Sequence, residues 1–553
     1  MHASKTIGDH LLSRLAEIGI HHLFGVPGDY NLAFLDQVIA HPAIRWVGNA
    51  NELNAAYAAD GYARVNGAGA LLTTFGVGEL SAMNGLAGSY AERVPVLHIV
   101  GAPSASTQQA RLLMHHSYCN GDFERFMSAG REVTVAQTHL TLANAVDEID
   151  RVLTQMLRER RPGYIMLPTD VAGGSLATAP RRFRTVEPRA SQRDVEAFAD
   201  SVGQLLQVAD SAVVLADFLA DRFQCCSQLQ ELVDTVPLSY ATLSMGKGVL
   251  EESAQGFLGI YAGGASEPAV KMAIESAGAV ISVGVVFADV LTAGFSHQID
   301  PTRLIDIQPF EATVAGRRFG DLPMGRALAI VSEQVRRQKL QSPAAGQLAC
   351  IKPVDHREER LSQAAFWSMM QAYLRVDDVV VADQGTSFYG SVALRLPLGA
   401  RFIGQPLWAS IGYALPAAFG IQTRLPERRV IVFVGDGSAL LTAQEIGSML
   451  RDDMKPVIFL LNNCGYTVER AINGPEQRYN DIALWDWTLI PKAMGHDKAS
   501  VSLRVDTIGE LADALVQAES TDHLTLIEVI LPKADLPPLL QATCEAITVR
   551  NSA

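Results

Sequence analysis

Long apolar runs, basic clusters and paired cysteines are all scarce in this chain of 553 residues. The most apolar candidate for a membrane span, Ala277 to Phe295, is interrupted by Gly284 and Asp289 and predicts a buried strand followed by a helix. Met1 to Ile20 carries Asp9 and Glu17 in an amphipathic pattern, which suits neither a secretory apolar core nor an acid-poor transit peptide. A cytoplasmic protein with no membrane partner is the expectation. Lys and Arg number 45 against 59 Asp and Glu, a net charge of −14, and no basic run offsets it, so no nucleic-acid partner is expected. The six cysteines, Cys119, Cys225, Cys226, Cys350, Cys464 and Cys544, lack zinc-ligand spacing, and the adjacent pair cannot easily bridge. Reduced thiols are expected.

What is present describes well-buried layers: 48% hydrophobic and 19% charged residues, with a mean hydropathy of +0.14. At roughly 150 residues per domain the length suggests about three to four domains. Helical spacing of Leu11, Leu12, Leu15 and Ile18 precedes an apolar strand, His22 to Val26. The alternation then repeats, with strands at 44–47, 70–75 and 96–100 separated by helices at 32–39, 53–63 and 80–91. Two polar, Pro-containing stretches, Leu167 to Arg193 and Arg336 to Glu359, interrupt this rhythm. Between and after them, strands are expected at 212–216, 238–241, 279–285 and 304–307, then at 379–382, 430–434, 457–461 and 524–530. Three α/β domains follow, at 1–180, 195–340 and 360–553, each an open parallel sheet with helices on both faces.

Ligands of such sheets sit at the carboxyl ends of the strands. There the first domain presents Gly28 with Asp29 and Asn51 with Glu52; the third presents Gln384 to Thr386, Gly435 to Ser438, and Asn462 with Asn463. The middle domain has no G-x-G-x-x-G after a strand to support a dinucleotide site. Asp436 and Asn463 end neighbouring strands, and with the Gly465 backbone carbonyl they make a hard oxygen set suited to Mg²⁺ and its phosphate partners. Gly435 and Gly437 let backbone amides approach a diphosphate, and a helix expected to start near Leu441 would point its positive end the same way.

Gly435-Asp436-Gly437-Ser438 through Asn462-Asn463 resembles the thiamine diphosphate-binding motif. The resemblance extends to the 2-oxo acid decarboxylases over essentially the whole chain. It runs through residues 22–29, Asn51-Glu52-Leu53, His115-His116, Gln384-Gly385-Thr386-Ser387, residues 465–470 and residues 476–487. It is strongest toward the indolepyruvate, phenylpyruvate and branched-chain types. The resemblance implies a thiamine diphosphate-binding fold in the first and third domains and a Rossmann-like middle domain. It also implies thiamine diphosphate and Mg²⁺ as cofactors, held by Glu52, Thr386, Ala409, Ile411, Gly435, Asp436, Gly437, Ser438, Asn463, Gly465 and Tyr466, with Asp436, Asn463 and Gly465 at the metal. Asp29, Glu52, His115, His116 and Glu469 are the implied catalytic residues. Glu52 would engage the aminopyrimidine, and Ile411, expected on a helix, would wedge the cofactor into a bent form. The implied reaction passes through a thiamine ylid and an enamine and turns a bulky 2-oxo acid into an aldehyde and CO₂. Alternatives within the family are a preference for branched, long-chain or pyruvate substrates, or acetolactate synthase-like carboligation; a non-catalytic homologue stands outside both.

Gln384, Phe388, Val468, Ile472, Leu540 and Thr543 are implied to line the substrate pocket. Pyruvate-specific relatives commonly carry Ile at the position of Val468, so the missing methylene leaves room beyond a methyl group. A homodimer is the implied minimum, and a homotetramer the expected assembly, because the first domain of one chain meets the third domain of its neighbour over the cofactor. Two positions depart from the family pattern: Ala409 stands in place of Gly, and Tyr118-Cys119-Asn120 in place of Leu-Gly-Asp.

Overall fold

The computed structural model describes residues 6–176, 182–184, 189–338, 340–342 and 356–552. Among the described residues, nineteen strands form three sheets. The first sheet comprises β1 (His22–Gly25), β2 (Arg45–Gly48), β3 (Gly69–Thr74), β4 (Val96–Ala102), β5 (Ala136–His139) and β6 (Gly163–Pro168). The second holds β7 (Ala212–Ala216), β8 (Ser239–Thr242), β9 (Phe257–Ile260), β10 (Ala279–Val283), β11 (Leu304–Ile307), β12 (Ala312–Val314) and β13 (Arg317–Phe319). The third is built from β14 (Val379–Ala382), β15 (Arg401–Gly404), β16 (Val430–Gly435), β17 (Val457–Asn462), β18 (Ser500–Val505) and β19 (Leu524–Ile530).

The first and third sheets are parallel throughout and share one strand order, β2-β1-β3-β4-β6-β5 and β15-β14-β16-β17-β19-β18. Each therefore reverses direction at its first strand, between β1 and β3 and between β14 and β16. Crevices open at such switch points beyond the carboxyl ends of the strands, which is where Asp29 and Asp436 stand. The middle sheet runs β13-β12-β11-β10-β7-β8-β9, and its β11-β12-β13 edge is antiparallel, a departure from the all-parallel expectation.

Burial explains which elements the sequence pattern revealed. β3, β4 and β16 are apolar along nearly their whole length because both faces lie under helices. The edge strands β2, β15 and β18 expose part of their length; β2 still falls on the strand expected at 44–47, whereas β15 and β18 carry no comparable apolar run. Leu167 and Pro168, expected in a linker, complete β6, and Thr169–Ala172 is a short helix. Position 195, the expected start of the middle domain, lies inside the helix Gln192–Val208, whose Phe198, Val202 and Leu206 enter that domain's core. The boundary expected at 180, most of the second linker and Cys350 lie outside the described residues. Ala277 to Phe295 contains β10 followed by turns rather than a helix, and among the described residues no helix is long and apolar enough to cross a membrane.

The first and third domains share a core within the chain. The helix Glu52–Asn66 lies on the helix Ala414–Arg424, and Tyr57, Ala58 and Tyr62 bury against Tyr413, Ala417 and Phe419. Glycine sets how close they come: a Cβ at Gly420 would collide with the Ala58 carbonyl, and one at Gly61 with Ala417. Buried polar links add direction, with Asn54 Nδ2 donating to Glu445 at 2.8 Å and Tyr413 Oη to Asp60 at 2.6 Å.

Candidate active site

The candidate acid and imidazole side chains of the first domain lie around the β1–β3 crevice. Asp29 follows the Gly25 end of β1, and Glu52 opens its helix immediately after Asn51, whose side chain caps the Asn54 amide at 2.9 Å. A methyl group at Gly78 would stand 3.1 Å from Glu52 Oε1, so a glycine keeps the space beside this carboxylate open. His115 Nε2 lies 2.7 Å from Asp29 Oδ2, and His116 Nδ1 lies 3.9 Å from Asp29 Oδ1. Behind them Tyr30 Oη sits 3.1 Å from His115 Nδ1.

A second cluster forms at the β14–β16–β17 edge. The helix expected near Leu441 starts earlier, at Asp436 itself, with Gly435 as its cap. Asp436 Oδ1 accepts from the Gly437 amide at 2.8 Å and Oδ2 from the Gly465 amide at 3.0 Å. Burial pushes this carboxyl up to about 6 against those amide donors, a charge that a neighbouring cation would stabilise. One end of the Asn463 amide is 2.9 Å from Gly465 O and 3.3 Å from Asp436 Oδ1, and the other end is 3.0 Å from Thr467 Oγ1. Three acceptor oxygens therefore meet when the Asn463 carbonyl takes the first end. Ligands about 2.0–2.1 Å from an octahedral Mg²⁺ stand about 2.9 Å apart, which matches this spacing. Gly465 adopts φ +117 with Asn480 O pressed against it, so no side chain fits there. The Tyr466 ring lies over Gly437, where a Cβ would be 2.6 Å from it.

The structure brings Ser438 to Asp383, and Thr386 opens the helix Thr386–Val392 beyond β14. Ile411 lies in a turn instead of the expected helix, and Ala409 precedes it outside any helix or strand. That turn is clamped from outside: Asp383 accepts from the amides of Gly412 at 3.1 Å and Ala414 at 2.8 Å, and Thr442 Oγ1 donates to Gly412 O at 2.6 Å. Burial pushes Asp383 up to about 6. Asp383 escaped the sequence reading, although an acid directly at the end of a buried strand is a usable signal. Both departures from the family pattern fall at left-handed backbone, φ +58 at Ala409 and φ +49 at Cys119. These are conformations in which a Cβ costs about 1–2 kcal/mol, which accounts for glycine in relatives.

Glu469 and Val468 lie on the helix Thr467–Asn473, and Ile472 O accepts from Thr548 Oγ1 at 3.3 Å, tying that helix to the C-terminal helix Pro538–Ser552. Leu540 and Thr543 are buried on the latter. Phe388 is buried, with its ring on Phe402 and against Gly404, beside the cleft to the middle domain. The neighbouring Tyr389, missed in the sequence, is also buried, and burial pushes its hydroxyl up to about 12 beside the side chains of Gln384 and Thr543. Among the described residues no hydrogen bond or ion pair joins the Asp29–His115–His116 cluster to the Asp436–Asn463 cluster within the chain.

Comparison with known proteins names this arrangement. Residues 5–124 match the N-terminal TPP-binding domain of thiamine pyrophosphate enzymes, residues 199–334 their central domain and residues 386–529 their C-terminal TPP-binding domain. An alpha-keto-acid decarboxylase of Mycolicibacterium paratuberculosis is 50% identical over 542 residues, 97% of this chain and 95% of the relative. The chain belongs to the thiamine pyrophosphate enzyme family. Proteins with the same printed name from Mycobacterium leprae, 49% identical over 98% of this chain and 95% of theirs, and Mycobacterium tuberculosis H37Rv, 47% identical over 97% and 96%, extend the likeness along the full length. Thiamine pyrophosphate enzymes hold thiamine diphosphate with Mg²⁺ as its usual partner. The oxygen triad of Asp436, Asn463 and Gly465 fits that metal, and the Gly435–Ser438 turn fits a diphosphate beside it.

Proposed function

We propose that this protein is a non-oxidative decarboxylase that converts bulky 2-oxo acids, of the indolepyruvate, phenylpyruvate or branched-chain kind, into an aldehyde and CO₂. The carrying observation is the pairing, on matching switch points of two sheets with one topology, of an acid–imidazole cluster with a divalent-cation oxygen triad. Bound thiamine diphosphate supplies the electron sink for the pair released as CO₂ leaves. Glu52 would hold the aminopyrimidine end, while Asp436, Asn463 and Gly465 with Mg²⁺ hold the diphosphate. Asp29 and His115, 2.7 Å apart, would pass a proton between them and on to the forming aldehyde with His116 alongside, and Glu469 would supply a carboxylate from the opposite domain.

The two clusters lie in different domains, and Asp29 and His115 are each about half exposed, at 47% and 56%. A second copy covering this face, its third domain against the first domain of its neighbour, would complete the site and exclude water. A homodimer, or a homotetramer built from two, is the assembly this reading needs.

For the substrate, Val468 opposite Gly385, with Tyr389, Gln384 and Thr543 grouped nearby, would bound a pocket closed by the C-terminal helix. Indolepyruvate, phenylpyruvate, 2-oxoisovalerate and pyruvate, each supplied with thiamine diphosphate and Mg²⁺, test the proposal by release of CO₂ and aldehyde. Turnover should favour the bulky acids, and Glu52→Gln should lose roughly 10² to 10⁴ in rate. No turnover on any of the four overturns the proposal, and condensation products outrunning free aldehyde would replace it with carboligation.

A further inference from the structure

The Asp29–His115–His116 cluster has a geometry that proton transfer alone does not require. One ligand atom from each residue lies within 4.8 Å of the other two. Donors about 2.0–2.1 Å from a tetrahedral Zn²⁺ stand about 3.3 Å apart. Asp29 Oδ2 is 2.7 Å from His115 Nε2 and Asp29 Oδ1 is 3.9 Å from His116 Nδ1, so each oxygen of one exposed carboxylate faces an imidazole, and a small rotation would bring one oxygen between the two. His116 Nδ1 is itself buried, with no hydrogen-bond partner among the described residues, and it faces Asp29.

The support behind the cluster also resembles that of a metal site. Ligating imidazoles characteristically bond through the second ring nitrogen to a group that fixes their orientation. His115 does so: its Nδ1 is 3.1 Å from Tyr30 Oη, and the two rings stack at 5.0 Å. Tyr30 is buried, so it holds the imidazole with Nε2 aimed at Asp29. Two imidazoles and one carboxylate select a borderline cation such as Zn²⁺ or Co²⁺ over Mg²⁺, which prefers the all-oxygen set at Asp436.

We infer that Asp29, His115 and His116 form a second, inhibitory metal site that takes Zn²⁺ or a similar borderline divalent cation. The chain would thus sort two metals by ligand chemistry, Mg²⁺ to the third domain and Zn²⁺ to the first. An imidazole lone pair donated to the ion is no longer available to accept a proton, so occupancy stops turnover. That consequence rests on the proposed decarboxylase reading; the binding does not.

The test uses the untagged, metal-stripped full chain titrated with Co²⁺ alone and followed by visible absorption. A d–d spectrum of low coordination number should grow in, and Zn²⁺ should bleach it. His115→Gln and His116→Gln should each abolish it, and Tyr30→Phe should weaken Co²⁺ affinity about 10-fold by removing the orienting group. Asp436→Asn should leave it intact. With thiamine diphosphate, Mg²⁺ and substrate present, Zn²⁺ should halt aldehyde release, and a chelator selective for Zn²⁺ over Mg²⁺ should restore it. A spectrum that never forms, survives both histidine substitutions or vanishes in Asp436→Asn overturns the site. If no 2-oxo acid is turned over but the spectrum behaves as described, the decarboxylase reading fails and the metal site stands.

Discussion

Glu79 offers a sharp test of how the first domain supports its catalytic loop. It lies in the first turn of the helix Val77–Ala91, 3% exposed, with Oε1 accepting from the Gly76 amide at 2.8 Å and Oε2 from Tyr164 Oη at 2.8 Å. Gly76, at φ +67, in turn sits directly against the His116 carbonyl. Burial pushes the Glu79 carboxyl from 4.5 up to about 7, opposed by its bonds to Gly76 and Tyr164. The folded state therefore binds this proton more tightly than the unfolded chain. Below 4.5 both states are protonated and there is no penalty; from there through 7 stability falls as pH rises, because the charge must be buried. The full penalty is about 3 kcal/mol, from a shift of roughly 2.5 pKa units at 1.36 kcal/mol each.

Glu79→Gln keeps an oxygen for Gly76 and an amide for Tyr164 but cannot ionise. It should match the parent protein at pH 4.5 and exceed it by up to about 3 kcal/mol at pH 8, a gain of roughly 2–4 °C per kcal/mol in a domain of this size. Scanning calorimetry or urea denaturation of both proteins at the two pH values measures the gap. A gap that does not change with pH, or a glutamine variant weaker at pH 8, would refute the assignment of a buried, proton-holding Glu79.

Three further outcomes follow from packing and ligation. Gly420→Ala drives a methyl group into the Ala58 carbonyl and should cost about 3 kcal/mol or more, read as a lowered melting temperature; an unchanged one would contradict the close helix contact. Saturating thiamine diphosphate and Mg²⁺, at about 100 times Kd, should stabilise the parent by about 2.7 kcal/mol. Asn463→Ala should lose most of that gain, and a full thermal shift in the variant would remove Asn463 from the metal. Val468→Ile should move the ratio of kcat/KM between bulky acids and pyruvate about 10-fold toward pyruvate; a constant ratio would take Val468 out of the pocket wall.

Much of this protein was written locally. Doubly buried strands such as β3, β4 and β16 announce themselves as apolar runs, and a residue just past such a run must stand at a strand end. Asp29, Glu52, Asp436 and Asn463 were legible for that reason: their position is a matter of counting from an apolar segment. Glycine signalled backbone need in the same way at Gly465, where no side chain fits. Of the edge strands β2 was legible at 44–47, but β15 and β18 stayed hidden because half-exposed positions tolerate polar residues, and β12 and β13 at three residues each are too short to show a period.

Only the tertiary structure decided which side chains meet. Residues far apart in sequence, Asp383 with Gly412 and Asp60 with Tyr413, are joined by sheet order and helix packing that no local pattern encodes. Phe388 and Tyr389 are adjacent aromatics, and sequence cannot tell what each packs against; the first lies on Phe402 and the second beside Gln384 and Thr543. The left-handed backbone at Ala409 and Cys119 is likewise invisible in residues that ordinarily avoid it. Sequence sets what each element can bury and which groups it carries to a strand end; the distances that make those groups into a site come from how the separate sheets are stacked.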